Sequence, residues 1–430
     1  LNYTEALDYI HCGFFGGTRP GLERVTELLG MLGNPQDRLR FIHVTGTNGK
    51  GSFCAMLDSI LRAAGCRTGL YTSPYIRRFN ERMMADGSPI DDDELADIAT
   101  EVRPLAEKMA DKPTEFELIT AVAMVYFDRH HCDPVVLEVG MGGRLDATNI
   151  IKTPLIDVIT GIALDHTKIL GDTLGKIAAE KAGIFRRGTP VLWCGDSAEA
   201  DTVIRAKAAE LGCDIFTPDR KALRVKKYSI DGTEFDAGDF KDLTLPLLGS
   251  YQPLNAQNVL TAVPLLRNLG FNISDADVKN GLGAVKWPAR FEKVTSDPLF
   301  ICDGGHNPEG IEAAVSSIEK YFPDGVNIVT GVMADKNYGQ MAKMIASVAK
   351  KVFCLTPNNT RSLSAEAYAE VYRKLGIDSE AFDGIDCAVL AAYENGKKTK
   401  SPTVCLGSLY MYGDVVAALE KITGRHVGGF

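Results

Sequence analysis

Phe41-Ile-His-Val-Thr-Gly-Thr-Asn-Gly-Lys-Gly-Ser52 is the stretch on which the reading of this chain turns. An apolar run predicts a strand over Phe41–Val44, and a glycine-rich turn follows it. Apolar periodicity then predicts a helix over Ser52–Ala64, closed by Gly65. Gly46, Gly49 and Gly51 let backbone N–H groups approach phosphate oxygens, and a helix N-terminus favours negative charge. Lys50 can reach the terminal phosphates and the Ser52 hydroxyl can ligate Mg²⁺, with Thr47 and Asn48 completing the loop. The spacing departs from the usual phosphate loop: only Thr47-Asn48 separates Gly46 from Gly49, and Gly51 stands between Lys50 and Ser52. A tight glycine turn with a solvated lysine is the competing reading. Strand, glycines, lysine, hydroxyl and helix together favour ATP or GTP.

Outward from this loop, short apolar stretches alternate with amphipathic ones, the pattern of a parallel sheet covered by helices. Strands are predicted at Phe41–Val44, Thr68–Thr72, Val135–Val139, Leu155–Ile162 and Pro190–Cys194. Residues 222–248, with Asp231-Gly232, predict a small antiparallel hairpin region, and a helix follows over 255–269. A second α/β series comprises strands Leu299–Cys302, Asn327–Gly331, Val352–Leu355 and Thr403–Gly407, with a helix over Glu309–Tyr321. Gly281, Gly283 and Pro288 interrupt the pattern between the two series. The expectation is therefore two α/β domains, 1–287 and 288–430. The first is a phosphate-loop-type, mostly parallel sheet flanked by helices, and the second is Rossmann-like.

Composition narrows the function classes. The chain has 430 residues, 45% hydrophobic and 24% charged, enough apolar material to fold rather than remain disordered. Lys plus Arg number 47 against 56 Asp plus Glu, a net charge of −9 that argues against a general nucleic-acid binder. Apolar runs such as Val135–Val139 are far shorter than the ~20 residues a membrane span needs. The ten cysteines (12, 54, 66, 132, 194, 213, 302, 354, 387, 405) form no C-x-x-C pair, and several lie in apolar strands. Leu1–Glu5 shows no basic stretch leading into an apolar one. A cytoplasmic protein without nucleic-acid or membrane partners is expected, and a monomer by default.

Polar residues at strand ends extend the site beyond the loop. Glu138 closes the apolar run from Val135, where a carboxylate needs a partner or a cation. An ion pair with Arg144 is its alternative role. Ser73-Pro74 follows the strand Thr68–Thr72, and Asp165-His166 follows Leu155–Ile162. Lys181 lies in a helical stretch, where pairing with a neighbouring glutamate is the plainest reading.

Taken together, the motifs resemble the folate branch of the Mur ligase family, the folylpolyglutamate and dihydrofolate synthases, along nearly the whole chain. Gly21-Leu-Glu-Arg-Val25, Leu32-Gly-Asn-Pro-Gln36 and Gly46–Ser52 come first, then Ser73-Pro-Tyr-Ile76 and Phe79-Asn-Glu-Arg82. Glu138-Val-Gly-Met-Gly-Gly-Arg-Leu-Asp-Ala-Thr-Asn149 follows, then Asp165-His166, Leu170-Gly-Asp-Thr-Leu174 and Glu180-Lys-Ala-Gly-Ile184. Pro288-Ala-Arg-Phe-Glu292 and Asp303-Gly-Gly-His-Asn-Pro308 complete the set. Tyr75 and Tyr251-Gln252 depart from it, since relatives often carry His at position 75 and His-Gln at 251–252.

The resemblance implies roles that spacing does not. Ser73 and Glu138, with Ser52, would hold one Mg²⁺. His166 would hold a second, with Lys181 carrying a carbamate, a hard oxygen ligand of the kind Mg²⁺ prefers. Asn255 would contact adenine, with Asn258 as the alternative. Arg290 would reach the phosphates, and Asp303 and His306 would contact nucleotide. Thr114-Glu-Phe-Glu117 and Asp146 match positions that contact the pterin, and Phe116 is equally suited to core packing.

The implied reaction is ATP-dependent amide formation. The carboxylate of a folate or dihydropteroate becomes an acyl phosphate, and the amine of L-glutamate displaces phosphate. Lys50, His166, Lys181 and Arg290 are the expected catalytic residues, and closure of the domains around Arg290 would complete the site. The alternatives are a Mur ligase acting on a cell-wall precursor and an ATPase module that ligates nothing.

Overall fold

The computed structural model describes residues 1–11 and 19–428; Cys12 lies outside them. By compactness the chain divides into Leu1–Arg220 with Asn255–Leu282, and Lys221–Leu254 with Gly283–Phe430.

The first unit is built on an eight-stranded sheet. In chain order its strands are β1 (Phe41–Thr45), β2 (Gly69–Tyr71), β3 (Met83–Ala85), β4 (Ser88–Pro89), β5 (Val135–Glu138), β6 (Ile156–Ile159), β7 (Val191–Trp193) and β8 (Ile215–Phe216). Their spatial order is β4-β3-β2-β5-β1-β6-β7-β8. Pairing is parallel from β2 to β8 and antiparallel at the edge pairs β2/β3 and β3/β4. Strand β1 is buried along its whole length, the polar His43 and Thr45 included, as a central parallel strand covered on both faces is. The chain passes from β1 to β2 on one side, across β5, and from β5 to β6 on the other, across β1, so the carboxyl ends of β1 and β5 lie at a switch in strand order, where α/β sheets bind ligands. Helices Asp92–Lys108 and Glu115–Arg129 bury their apolar faces with Phe41, Val135 and Leu137 of the sheet. A separate cluster joins Ile159, Val191 and Trp193 to helices Leu174–Ala182 and Ala198–Leu211.

The second unit holds a three-stranded antiparallel sheet, β9 (Leu223–Ser229), β10 (Gly232–Ala237) and β11 (Phe240–Leu245). It also holds a six-stranded sheet of β12 (Glu292–Ser296), β13 (Leu299–Cys302), β14 (Val326–Thr330), β15 (Ala349–Cys354), β16 (Ser379–Ala381) and β17 (Thr403–Leu406). The order of the latter is β12-β13-β17-β14-β15-β16, parallel throughout except for the edge pair β12/β13.

Two findings differ from the sequence reading. Residues 221–254 group with the second unit: Ser250 N donates to Ser317 Oγ at 2.9 Å, and Leu248 joins the core with Ile311 and Ile318. Gly281 and Gly283 do not interrupt a helix but lie inside one, Asp275–Ala284. A Cβ at Gly281 would stand 2.4 Å from Ile60 Cα, so this glycine marks close helix packing rather than a break. Gly65, by contrast, takes the left-handed conformation (φ 83°) just beyond helix Lys50–Ala63 and its cap Ala64, as a helix-closing glycine should.

Candidate active site

The phosphate loop leaves β1 at Thr45 and enters helix Lys50–Ala63 through Gly49, whose φ is 83°. A Cβ at Gly46 would lie 2.0 Å from Thr160 Oγ1, so no side chain fits there. Thr160 was not foreseen, yet its hydroxyl donates to Asn48 O at 2.7 Å. Thr47 N donates to Gly161 O at 2.8 Å, and Ala163 N donates to the Thr47 hydroxyl at 3.0 Å. The chain leaving β6 thus clamps the loop from one side. Ser52 is buried in the first helical turn. Asn255 Oδ1 sits 2.9 Å from where a Gly49 Cβ would be, whereas Asn258 is buried with its Oδ1 unpartnered.

Two lysines converge on one carbonyl of this loop. Lys50 Nζ donates to Gly46 O at 3.0 Å and to Thr47 O at 3.2 Å, and Lys181 Nζ donates to Gly46 O at 2.8 Å. Lys181 is buried near the end of helix Leu174–Ala182, whose cap Thr173 accepts from Lys176 N. Burial, then the charge of Lys50, pushes the Lys181 amine down to about 7, against the pull of Asp165 and Asp146. The plain glutamate pairing does not form, because Glu180 binds Arg144 at 2.9 Å. That same pair removes Arg144 as the partner of Glu138.

Glu138 is buried at the end of β5, in register with Val44 on β1. Its Oε2 accepts from Ser73 N at 3.0 Å, which ties the ends of β5 and β2 together. Gly143, in the turn after Glu138, is pressed against the helix that carries Lys181: a Cβ there would stand 2.8 Å from both Glu180 O and Lys181 O. This close approach explains why the two glycine-containing motifs occur together. His166 caps the short helix Thr167–Leu170 with φ 49° and keeps an exposed ring, its Nε2 4.0 Å from Asp165 Oδ2. Among the described residues no three His, Cys, Asp or Glu side chains gather in one place. Hydroxyls, one carboxylate and phosphate oxygens suit Mg²⁺, which keeps several waters and is seldom caged by protein alone.

The expected pterin residues divide by what they touch. Thr114 and Glu117 form a capping box at the start of helix Glu115–Arg129, Glu117 Oε2 accepting from Thr114 N at 2.7 Å. Glu117 also receives the Arg24 guanidinium at 3.0 and 2.8 Å, which joins the Gly21–Val25 motif to the Thr114–Glu117 motif. Glu115 lies near the surface, 3.0 Å from His11 Nδ1. Phe116 and Asp146 flank Gly140, where a Cβ would meet them at 2.6 and 3.1 Å. Asp146 also accepts from Met141 N at 2.8 Å and Thr148 N at 3.0 Å, and burial raises its carboxyl pKa.

In the second unit, Asp303 follows β13. Its Oδ1 accepts from Gly305 N at 2.7 Å, and its Oδ2 accepts from Phe291 N and the Tyr251 hydroxyl, each at 2.9 Å. Arg290 lies between Ala289 (φ 57°) and Phe291 (φ 51°), two left-handed residues held by the bonds from Phe291 N to Asp303 Oδ2 and from Ala289 N to Glu292 Oε2, each at 2.9 Å. Tyr251, singled out in the sequence as a departure, is therefore part of this cluster. His306 Nδ1 donates to Gly304 O at 2.9 Å.

Comparison with known proteins agrees along the chain. The Mur ligase middle domain matches residues 44–266, and the Mur ligase glutamate ligase domain matches residues 289–408. Folylpolyglutamate synthase of Lacticaseibacillus casei is 38% identical over 424 residues, 96% of this chain and 97% of that protein. Dihydrofolate synthase/folylpolyglutamate synthase of Bacillus subtilis is 34% identical over 434 residues, covering 97% of this chain and 99% of the relative. Among solved structures, Escherichia coli FolC in complex with DHPP and ADP superposes with a TM-score of 0.85 at 29% identity, over 98% of this chain and 99% of that one.

Proposed function

The chain belongs to the Mur ligase family, and from that premise we propose that it is an ATP-dependent ligase that adds L-glutamate to the carboxylate of a folate and also to that of 7,8-dihydropteroate. The observation that carries this reading is the gathering of loop 46–52, Ser73, Glu138 and Lys181 at the ends of parallel strands, in a chain similar from end to end to such synthases. Loop N–H groups and the helix N-terminus bind and orient the nucleotide phosphates. Lys50, folded onto Gly46 O and Thr47 O within the loop, would exchange these carbonyls for phosphate oxygens and offset their charge. Asn255 beside Gly49 is our choice for the adenine contact, and Arg290, Asp303 and His306 are proposed to bind nucleotide from the second unit. Phe116 and Asp146, beside Gly140, are proposed to meet the pterin.

Ser52, Ser73 and Glu138 would hold one Mg²⁺, and His166 with Lys181 a second. When bound, Mg²⁺ neutralises phosphate charge that would otherwise repel the incoming carboxylate. Lys181 suits a carbamate because burial brings its pKa to about 7, leaving much of the amine unprotonated and nucleophilic toward CO₂ at neutral pH. Removing CO₂ is expected to lower activity, and bicarbonate to restore it. Lys181→Ala should respond to neither and recover in part with added acetate. Full activity of Lys181→Ala sinks the carbamate. We place the protein in the cytoplasm, in keeping with the free cysteines found throughout the described residues. No described helix is long and apolar enough to cross a membrane.

The deciding experiment is ADP release with Mg-ATP and L-glutamate, with dihydropteroate, with tetrahydrofolate and without a pterin. Product mass should increase by one glutamyl unit with each acceptor. Turnover with tetrahydrofolate alone narrows the reading to chain extension. ADP formed equally without acceptor, and no conjugate, replaces it with an ATPase.

A further inference from the structure

Arg82 makes no hydrogen bond through Nε or Nη1, although both atoms are shielded from solvent. A charged guanidinium donor withdrawn from water without an acceptor is destabilising, so a buried donor of this kind calls for a partner. The adjacent carboxylate does not serve it. Glu81 accepts from Ile76 N at 2.8 Å and Arg77 N at 3.1 Å through Oε2, and from Arg78 N at 3.0 Å through Oε1. What surrounds Arg82 is aromatic: its Cζ lies 5.4 Å from the Tyr75 ring and 5.8 Å from the Phe79 ring. An aromatic surround attracts the cation but offers its N–H groups no carboxylate or carbonyl acceptor, a need that a planar anion entering the site would meet.

The position of Arg82 matters. Thr72 N donates to Arg82 O at 3.0 Å, and the next residue, Ser73, is the one bonded to Glu138. Tyr71, in whose surroundings the charge of Arg82 is felt, has its ring 6.2 Å from that of Phe116. The Arg82 backbone is thus fixed to the residue that precedes Ser73, and its unpartnered Nε and Nη1 lie in the neighbourhood of Tyr71, whose ring neighbours that of Phe116.

We propose that Arg82 binds a substrate carboxylate, through the paired N–H geometry that guanidinium offers and ammonium does not. This rests on the ligase reading above. Two sources share the chemistry, the carboxylate of the pterin acceptor and those of L-glutamate.

The test uses the full chain, Arg82→Gln and Arg82→Lys. Binding of dihydropteroate and of its carboxamide is followed by intrinsic fluorescence, and KM is measured for L-glutamate and ATP. The wild type is expected to bind the acid about 10- to 100-fold more tightly than the amide. Arg82→Gln should lose that preference with KM for ATP unchanged, and Arg82→Lys should recover part of it. A rise of similar size in KM for L-glutamate, with the acceptor preference intact, assigns the contact to glutamate instead. An unchanged acid–amide preference together with an unchanged glutamate KM overturns the proposal, and a shift in melting temperature alone does so too. A wild type that binds the acid but forms no glutamyl product refutes the ligase reading and leaves the Arg82 result standing.

Discussion

At the scale of the residue, buried polar groups beneath the site set the pH response of the fold. Asp157 on β6 and His43 on β1 are register partners, and both are buried. Asp157 Oδ2 accepts from Arg186 N at 3.1 Å while Oδ1 has no partner, and burial pushes its carboxyl up to about 8. Burial drives the His43 imidazole down to about 3. An unfolded aspartate titrates near ~3.9, so between that value and 8 the folded state holds the extra proton. Stability is therefore fully present below ~3.9 and is lost as the pH rises through 8. Asp157→Asn keeps an acceptor for Arg186 N and removes the titration. Melting curves should nearly coincide at acidic pH, with the variant melting several degrees higher above pH 8. An asparagine variant weaker at every pH would show that the carboxylate is charged in the fold. The phosphate-loop residues were legible because their chemistry is local. Thr160 was not singled out, and Tyr251 and Arg82 stood in motifs without a role of their own, because each acts on residues brought near only by folding.

At the scale of the element, glycine shows how one residue type carries opposite messages. Gly281 and Gly283 both lie in helix Asp275–Ala284. A Cβ at Gly281 would meet Ile60 Cα at 2.4 Å and Ser59 O at 2.8 Å, and Ser59 Oγ donates to Gly281 O at 2.7 Å. A Cβ at Gly283 would meet nothing within 4 Å. Gly281→Ala should thus destabilise by about 1–3 kcal/mol through forced helix separation. Gly283→Ala should stabilise by up to ~1 kcal/mol through helix propensity alone. Paired chemical denaturation of the two variants checks both signs, and equal effects would refute the packing argument. Strand positions were readable from the apolar runs because central parallel strands are buried on both faces. The short edge strands β4, β8 and β16, and β3 next to an edge, carried too few residues for a period to show.

At the scale of the whole molecule, the membership of residues 221–254 could not be read from chain order, since they interrupt the first unit in sequence. Their antiparallel character was visible in the alternation, and β9 and β10 pair from Ser229 with Gly232 to Leu223 with Ala237. What decides their allegiance is contact with residues far along the chain. Tyr228 meets the Tyr321 ring edge-on at 5.9 Å, Lys293 Nζ donates to Asp231 Oδ1 at 2.8 Å, and Ser317 receives Ser250 N. A fragment ending at residue 287 would keep β9–β11 and lose Tyr321, Ser317 and Lys293 together. A three-stranded sheet deprived of its covering face is marginal in water. Hydrogen exchange on that fragment should therefore show Thr233 and Phe235 amides exchanging freely, while β1, β5 and β6 amides stay protected. In the full chain both sets should be protected. Persistent protection of β10 in the fragment would mean that this sheet folds with the first unit, and that compactness had assigned it wrongly.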